Sequence, residues 1–322
     1  MTTLKKLYTK KLLLGAKIVT KRQFGLQSKR RKKMSSIPHL VQYQGSKRGL
    51  APTIADYFPN TFDRFIEPFS GTGAMSIYTA FNGLCDSFLL NDINCQVIDL
   101  LETCINEPEK LVTNYERIWN GQFEEGENSV DYYYKMRNRF NEIKDTPDAA
   151  LTLFILARVA KGAIRYNQQG EMNQICDRRR KGTRPSNVRK DANAISRLLR
   201  GRTQVYCMDY KDILTMARPG DLVYMDPPYQ GVSSGLSSRY IQSLSFENFV
   251  ESLFELNERN IDYIVSYDGQ NDDGKFGQDL PEELGLQHIL INAGRSAQGN
   301  LNGKNLTTYE SLYISPNIRR DL

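Results

Sequence analysis

Apolar residues fall along the chain in short bursts that alternate between two periods. "TFDRFIEPF" (61–69) and "SFLLND" (87–92) are compact runs of strand length, and "GAMSIYTAFNG" (73–83) between them has helical spacing and is closed by Gly83. That order predicts a β–α–β unit. From about residue 106 to 202 the rhythm gives way to a long polar and aromatic region with helical segments, among them "DYYYKMRNRFNEI" (131–143) and "DAALTLFILARVAKGA" (148–163). It then resumes with the strands "TQVYCMD" and "GDLVYMD", the helix "SFENFVESLFELNERN", the strand "IDYIVSYD" and a terminal pair, "LQHILINA" and "TYESLYIS". The pattern predicts an α/β fold: a doubly wound sheet interrupted by an inserted, mainly helical domain. The expected units are a basic, disordered N-terminal arm (1–36), a core domain made of 37–105 and 203–322, and the insertion (106–202).

Composition narrows this picture mainly by exclusion. The 322 residues are 40% hydrophobic and 25% charged, as in an ordinary globular protein. The longest apolar runs are cut by Lys or Arg before reaching the ~20 residues of a membrane span. Five cysteines with no Cys-x-x-Cys pair argue against a disulfide framework and a structural zinc site, and predict a reducing, cytoplasmic setting. Two histidines, His39 and His288, leave little material for metal clusters or a Ser/His/Asp triad.

The net charge of +6 is unevenly spread. Residues 1–33 hold twelve Lys or Arg and no acid, leaving −6 for the rest. That start reads as a disordered basic arm, as an organellar presequence, or as sequence preceding a fold that begins at Met34. A second basic block, Arg158 to Arg202, holds thirteen Lys or Arg against three acids, and its core "DRRRKGTRPSNVRK" fits phosphate contacts by Arg178, Arg179, Arg180 and Lys181.

Three stretches carry chemistry. In Glu67-Pro68-Phe69-Ser70-Gly71-Thr72-Gly73 a strand enters a turn whose glycines let backbone pass close to a ligand, with neither dinucleotide nor P-loop spacing. Asp92 ends the next strand, where an acid accepts from a ribose hydroxyl pair or simply caps the following helix. Turn plus acid favours an adenosine-containing ligand, either NAD or S-adenosylmethionine. Then "LVYMDPPYQG" delivers Asp226 to the sheet edge, and Pro227 and Pro228 fix the chain beyond it in an extended corner. The Asp226 carboxylate and the Pro227 carbonyl are neighbouring acceptors that suit a planar NH₂, with Tyr229 placed to stack on its base.

Together "FIEPFSGTGAM", "LLNDIN", "VYMDPPYQG" and "YQGSKRGLAPTIADYFP" resemble the motifs of the Dam-type DNA adenine methyltransferase family, in the order of its alpha class, across most of residues 40 to 315. The resemblance implies a Rossmann-like methyltransferase sheet with an inserted target-recognition domain, S-adenosylmethionine as cofactor, double-stranded DNA as substrate, and N6 of a flipped adenine as the methylated atom. It implies no metal, and no membrane. By the same resemblance Tyr43 and Lys47 contact the cofactor, Asp92 its ribose, and Asp209 and Tyr210 in "VYCMDYKD" its adenine, while Asp226 to Tyr229 form the catalytic tetrapeptide. Arg165, in "IRYNQQGEMN", falls where an arginine contacts DNA; the preceding "VAKGA" departs from the family's aromatic-Asn-Gly pattern, so the recognition sequence does not carry over. Arg295 and Lys304 lie in the closing segment as DNA-backbone or base-pocket candidates, and Ser266 matches a position near the pocket. A family role in DNA marking or in restriction–modification, with a cognate endonuclease, follows from the same source. RNA adenine methylation, a binding module with a vestigial cofactor fold, and a nicotinamide oxidoreductase stand as rivals.

Overall fold

The computed structural model describes residues 17–19, 36–160, 162–228, 244–271, 274–275, 278–295 and 307–318. Its centre is one mixed sheet. Strands β1 (Lys17–Val19), β2 (Arg64–Glu67), β3 (Phe88–Asn91), β4 (Thr203–Tyr206), β5 (Asp221–Met225), β6 (Asp262–Asn271), β7 (Gly274–Lys275), β8 (Gln287–Arg295) and β9 (Thr307–Ile314) lie in the order β1-β8-β9-β6-β5-β2-β3-β4, with β7 paired to β6. Strands β4, β3, β2, β5 and β6 run parallel, and β9 runs antiparallel between β6 and β8. The order reverses between β2 and β5, the switch point where α/β sheets open a ligand crevice. Arg64 holds the opposite end of that pair, donating from Nη2 to Asp221 Oδ2 at 2.6 Å.

Each strand feeds two cores. Because side chains alternate across a strand, Phe65, Leu222 and Tyr224 face one layer while Ile66, Val223 and Met225 face the other. The second layer is closed by α8 (Tyr210–Thr215) and α9 (Phe246–Glu258). The first is covered by α1 (Ala51–Ala55), α2 (Ala74–Phe81), α3 (Cys95–Asn106), α4 (Pro108–Gly121), α5 (Ser129–Glu142), α6 (Ala149–Arg158) and α7 (Pro185–Leu199), whose buried apolar residues form one continuous cluster with the sheet.

Three expectations change. The helix expected over 148–163 stops at Arg158, because Val159 turns extended to bridge Cys176 and Gly162 passes against the chain at 42–44. A Cβ on Gly162, at φ +60, would lie 2.5 Å from the Gln42 carbonyl oxygen. The basic arm is strand at Lys17–Val19, where the Lys-Ile-Val run pairs in parallel with Ile289–Ile291 and covers the unpaired edge of β8. The block from Arg158 to Arg202 is not one solvent-facing cation: Arg158 is fully buried, donating to Gln122 Oε1 and to the Ser129 carbonyl, Arg189 pairs with Glu109 and Glu116, and Arg202 pairs with Asp86. No helix among the described residues is long and apolar enough to cross a membrane.

Candidate functional site

A cavity of about 550 Å³ opens at the carboxyl ends of β2, β3 and β5. Tyr43, Lys47, Glu67, Pro68, Phe69, Gly71, Asp92, Asp209, Tyr210, Asp226, Pro227 and Pro228, all expected from sequence, line it together with Arg165. Gly73 does not reach it; its left-handed φ of 70° starts α2, and a Cβ there would meet Leu101 at 3.4 Å. Tyr229 and Lys304 lie outside the described residues. Arg295 closes β8, and its side chain also lies outside them.

At the glycine turn the backbone passes close to an aromatic ring. Gly71 has φ +49, and a Cβ there would sit 3.1 Å from Tyr43 Cε1. Asp92 neither caps α3 nor stands apart: Oδ2 accepts from the Gly71 amide and Oδ1 from the Asn94 amide, each at 2.9 Å, while burial holds its pKa above the ordinary carboxylate value. Asn91 was not anticipated, although a polar residue ending the buried run "FLLN" was a visible signal. Its Nδ2 donates to the carbonyls of Pro68 and Met208, and its Oδ1 accepts from the Met208 amide, all at 3.0 Å. One side chain thus ties the glycine turn to the segment leading into Asp209 and Tyr210. Asp209 caps α8, and the Tyr210 ring packs 5.1 Å from Phe69 to form an aromatic wall.

At the floor, Lys47 Nζ donates to Asp226 Oδ1 at 2.7 Å and lies 3.0 Å from Glu310 Oε1, with Lys47 itself buried. The cation beside Asp226 comes from 179 residues away in sequence. Burial alone would lower the Lys47 pKa; the two carboxylates outweigh it and hold the ammonium above the ordinary lysine range. Burial pushes Asp226 up to about 6, with Lys47 partly opposing. Glu67, buried and accepting from the Ser76 hydroxyl and amide, is pushed up by burial to about 8. Ser266 is a packing residue here, buried and hydrogen-bonded to the Tyr224 hydroxyl at 2.8 Å.

The expectation of no disulfide is corrected. Cys95 and Cys207 are bonded, with Cα atoms 5.3 Å apart and a separation of 112 in sequence. Strands β3 and β4 pair with Asn91 opposite Tyr206, so the loops that follow them emerge side by side. Spacing along the chain cannot reveal this. In the chain-entropy account a closed loop of that length is worth about 5 kcal/mol, an upper figure for what reduction, or Cys95→Ser, is expected to cost in stability. Urea denaturation with and without a thiol checks it, and coincident midpoints would refute it.

One hairpin, between residues 159 and 176, also reaches the cavity. Tyr166 bridges Met172 and Val159 bridges Cys176, placing Ala163 to Tyr166 along the cavity wall. Arg165 donates from Nη2 to Gln44 Oε1 at 2.9 Å, and the Tyr166 hydroxyl donates to Asn94 Oδ1 at 3.3 Å. Arg178, Arg179, Arg180 and Lys181 are exposed and do not line the cavity. Arg180 is tethered to Asp177 at 3.2 Å, and Lys181 to Ser129.

Comparison with known proteins adds an independent finding. A family model described as "D12 class N6 adenine-specific DNA methyltransferase" matches residues 43–296. Similar proteins include a type II methyltransferase, M1.LlaDCHI, of Lactococcus lactis subsp. cremoris, 25% identical over 279 residues that cover 82% of this chain and 91% of that protein. The DNA adenine methylase of Escherichia coli (strain K12) is 26% identical over 86% of this chain and 96% of its own length. A DNA N-6-adenine-methyltransferase of Escherichia phage P1 is 29% identical over 66% of this chain and 27% of its own length.

Proposed function

The chain belongs to the D12 class of N6 adenine-specific DNA methyltransferases, and from that premise we propose that it transfers a methyl group from S-adenosylmethionine to N6 of an adenine flipped out of duplex DNA. One observation carries the reading: the Asp226 carboxylate and the Pro227–Pro228 corner lie on the cavity floor, held by a buried ammonium, in the same cavity as the Gly71 turn, Asp92 and the Phe69–Tyr210 wall.

The donor set suits this cofactor. A glycine where a side chain would intrude, an acid at the end of β3 and an aromatic wall near Asp209 match the needs of a ribose and a purine, while the carboxylates below them suit a cation. When bound, the cofactor supplies an electrophilic methyl group on a sulfonium. Tyr43, Lys47, Glu67, Pro68, Phe69, Gly71, Asp92, Asp209 and Tyr210 are its contacts in this reading, and Gly73 supports the turn. Asp226 accepts one N–H of the target amine and the Pro227 carbonyl accepts the other. Both acceptors turn the nitrogen lone pair towards the methyl group and stabilise the positive charge that grows on nitrogen. Pro228 keeps the corner rigid, and Tyr229 is assigned the stacking role.

Residues 37–105 and 203–322 form the catalytic unit in this reading, and 106–202 recognises the target. Arg165, at the cavity mouth, reads or clamps the DNA, and Arg295 meets its backbone. Arg178, Arg179, Arg180 and Lys181 meet phosphates, offsetting the few kcal/mol that unstacking a base costs. Arg178→Ala and Arg179→Ala are each expected to lower the slope of log K against log salt by about 1 without changing the site methylated, as phosphate contacts do. DNA-binding titrations from low to moderate salt measure it, and an altered methylation site would contradict it.

In this reading the protein works in the cytosol on cellular DNA, in DNA marking or in restriction–modification beside an endonuclease of matching specificity. The test is transfer of labelled methyl to unmethylated duplex DNA, with Asp226→Ala as control and the modified base identified by mass. N6-methyladenine made only by the intact protein is the expected result. Transfer to RNA alone, or DNA binding without transfer, would overturn it.

A further inference from the structure

Glu310 was singled out by no motif, yet it completes the charge arrangement at the cavity floor. It lies on β9, opposite Ile291 of β8, and is 8% exposed. Its Oε1 lies 3.0 Å from Lys47 Nζ, on an ammonium already bound to Asp226 Oδ1. The pairing is irregular there. Between Tyr267 and Gln270 the β6–β9 register shifts, so that two residues of β6 stand against Glu310 alone. One of them, Gly269, lets the strands close: a Cβ would lie 2.1 Å from the Tyr309 carbonyl oxygen. Bulges beside active sites commonly re-aim a side chain, and this one is centred on Glu310.

A lysine with a single carboxylate partner would put its whole charge on that partner. Asp226 would then be a poor acceptor for a neutral amine, because the ammonium draws on the lone pairs the amine needs. A second carboxylate divides the ammonium's charge. Two carboxylates around one ammonium suit a cation migrating from donor to amine.

On the strength of the function proposed above, we propose that Glu310 is a positioning residue for methyl transfer: it fixes Lys47 on Oδ1 of Asp226 and shares its charge, leaving Asp226 Oδ2 to accept from the target amine.

Among the described residues, the groups facing Asp226 define the test: Lys47 from the turn before α1, Glu67 and Tyr224 from β2 and β5, and Glu310 from β9. Glu310→Gln keeps the shape and removes the charge. It is expected to lower kcat on the order of 10²-fold, as a small misplacement at a reacting centre does, with KM for DNA unchanged. It should also move the acid limb of the kcat profile to lower pH, since Glu310 opposes ionisation of Asp226. Glu310→Asp keeps the charge, so its acid limb should stay at the wild-type position while kcat falls partway. Loss of fold would reduce amplitude without moving the limb, and thermal melting of both variants identifies it. The carboxyl titration of Asp226, followed by carbon NMR in the free protein, reads the same charge sharing without turnover. A wild-type protein that methylates no adenine would refute the function, not this arrangement. A Glu310→Gln protein with kcat within twofold of wild type, or with the Asp226 titration unmoved, would overturn the proposal.

Discussion

Asp226→Asn is expected to reduce adenine methylation by on the order of 10²- to 10³-fold, the range for removing one group that stabilises charge in a transition state. The reason lies in Lys47. Its ammonium, 2.7 Å from Oδ1, would select the carbonyl oxygen of the new amide and turn the amide NH₂ into the cavity, where it would face the N–H of the substrate. A donor would meet a donor. Binding of S-adenosylmethionine, measured by calorimetry, should change far less than kcat, because the glycine turn, Asp92 and the aromatic wall are untouched. The wild-type profile carries a related signature. Asp226 serves as acceptor when ionised and its pKa is raised to about 6, so kcat should be level above that pH and fall as pH drops through it. A variant within tenfold of wild type, or an acid limb near the ordinary aspartate value, would remove Asp226 from this role.

Lys47→Met carries the largest expected effect on stability. Removing the cation of a buried ion pair while leaving its partners in place costs about 3–5 kcal/mol, because the carboxylates remain in a medium that solvates them poorly. Asp226 and Glu310 are both left in that state. The pH dependence has a definite sign. Without Lys47 the folded-state pKa of Asp226 rises further above its unfolded value, so the penalty is absent below the unfolded value and grows as pH rises through the folded one. Urea midpoints should therefore separate the variant from wild type widely at pH 8 and narrowly at pH 5. A difference below about 1 kcal/mol at pH 8 would mean that the cluster is hydrated rather than buried.

Residues near in sequence were legible in proportion to how local their physics is. The Pro227–Pro228 corner, the Gly71 turn and the acid at Asp92 announce themselves because ring closure, a missing Cβ and a strand-end carboxylate each act within a few residues. Asn91 was visible and passed over, since a polar residue at a strand end is common and its partners, Pro68 and Met208, belong to two other segments. Arg158 misled, because its charge was counted towards a phosphate-binding surface while the fold enclosed it against Gln122 and Ser129.

By itself, then, the chain determined the alternation of strand and helix and the three stretches at strand ends that the fold brings to one cavity. Periodicity, turn geometry and side-chain type are written in consecutive residues. The tertiary structure alone decided which groups share a charge or a bond: Lys47 with Asp226 and Glu310, Cys95 with Cys207, and Arg165 with Gln44. Those partners lie 112 or more residues apart, and only sheet order and register bring them within reach. Electrostatic and covalent pairing depends on distance in space, which the order of residues does not encode.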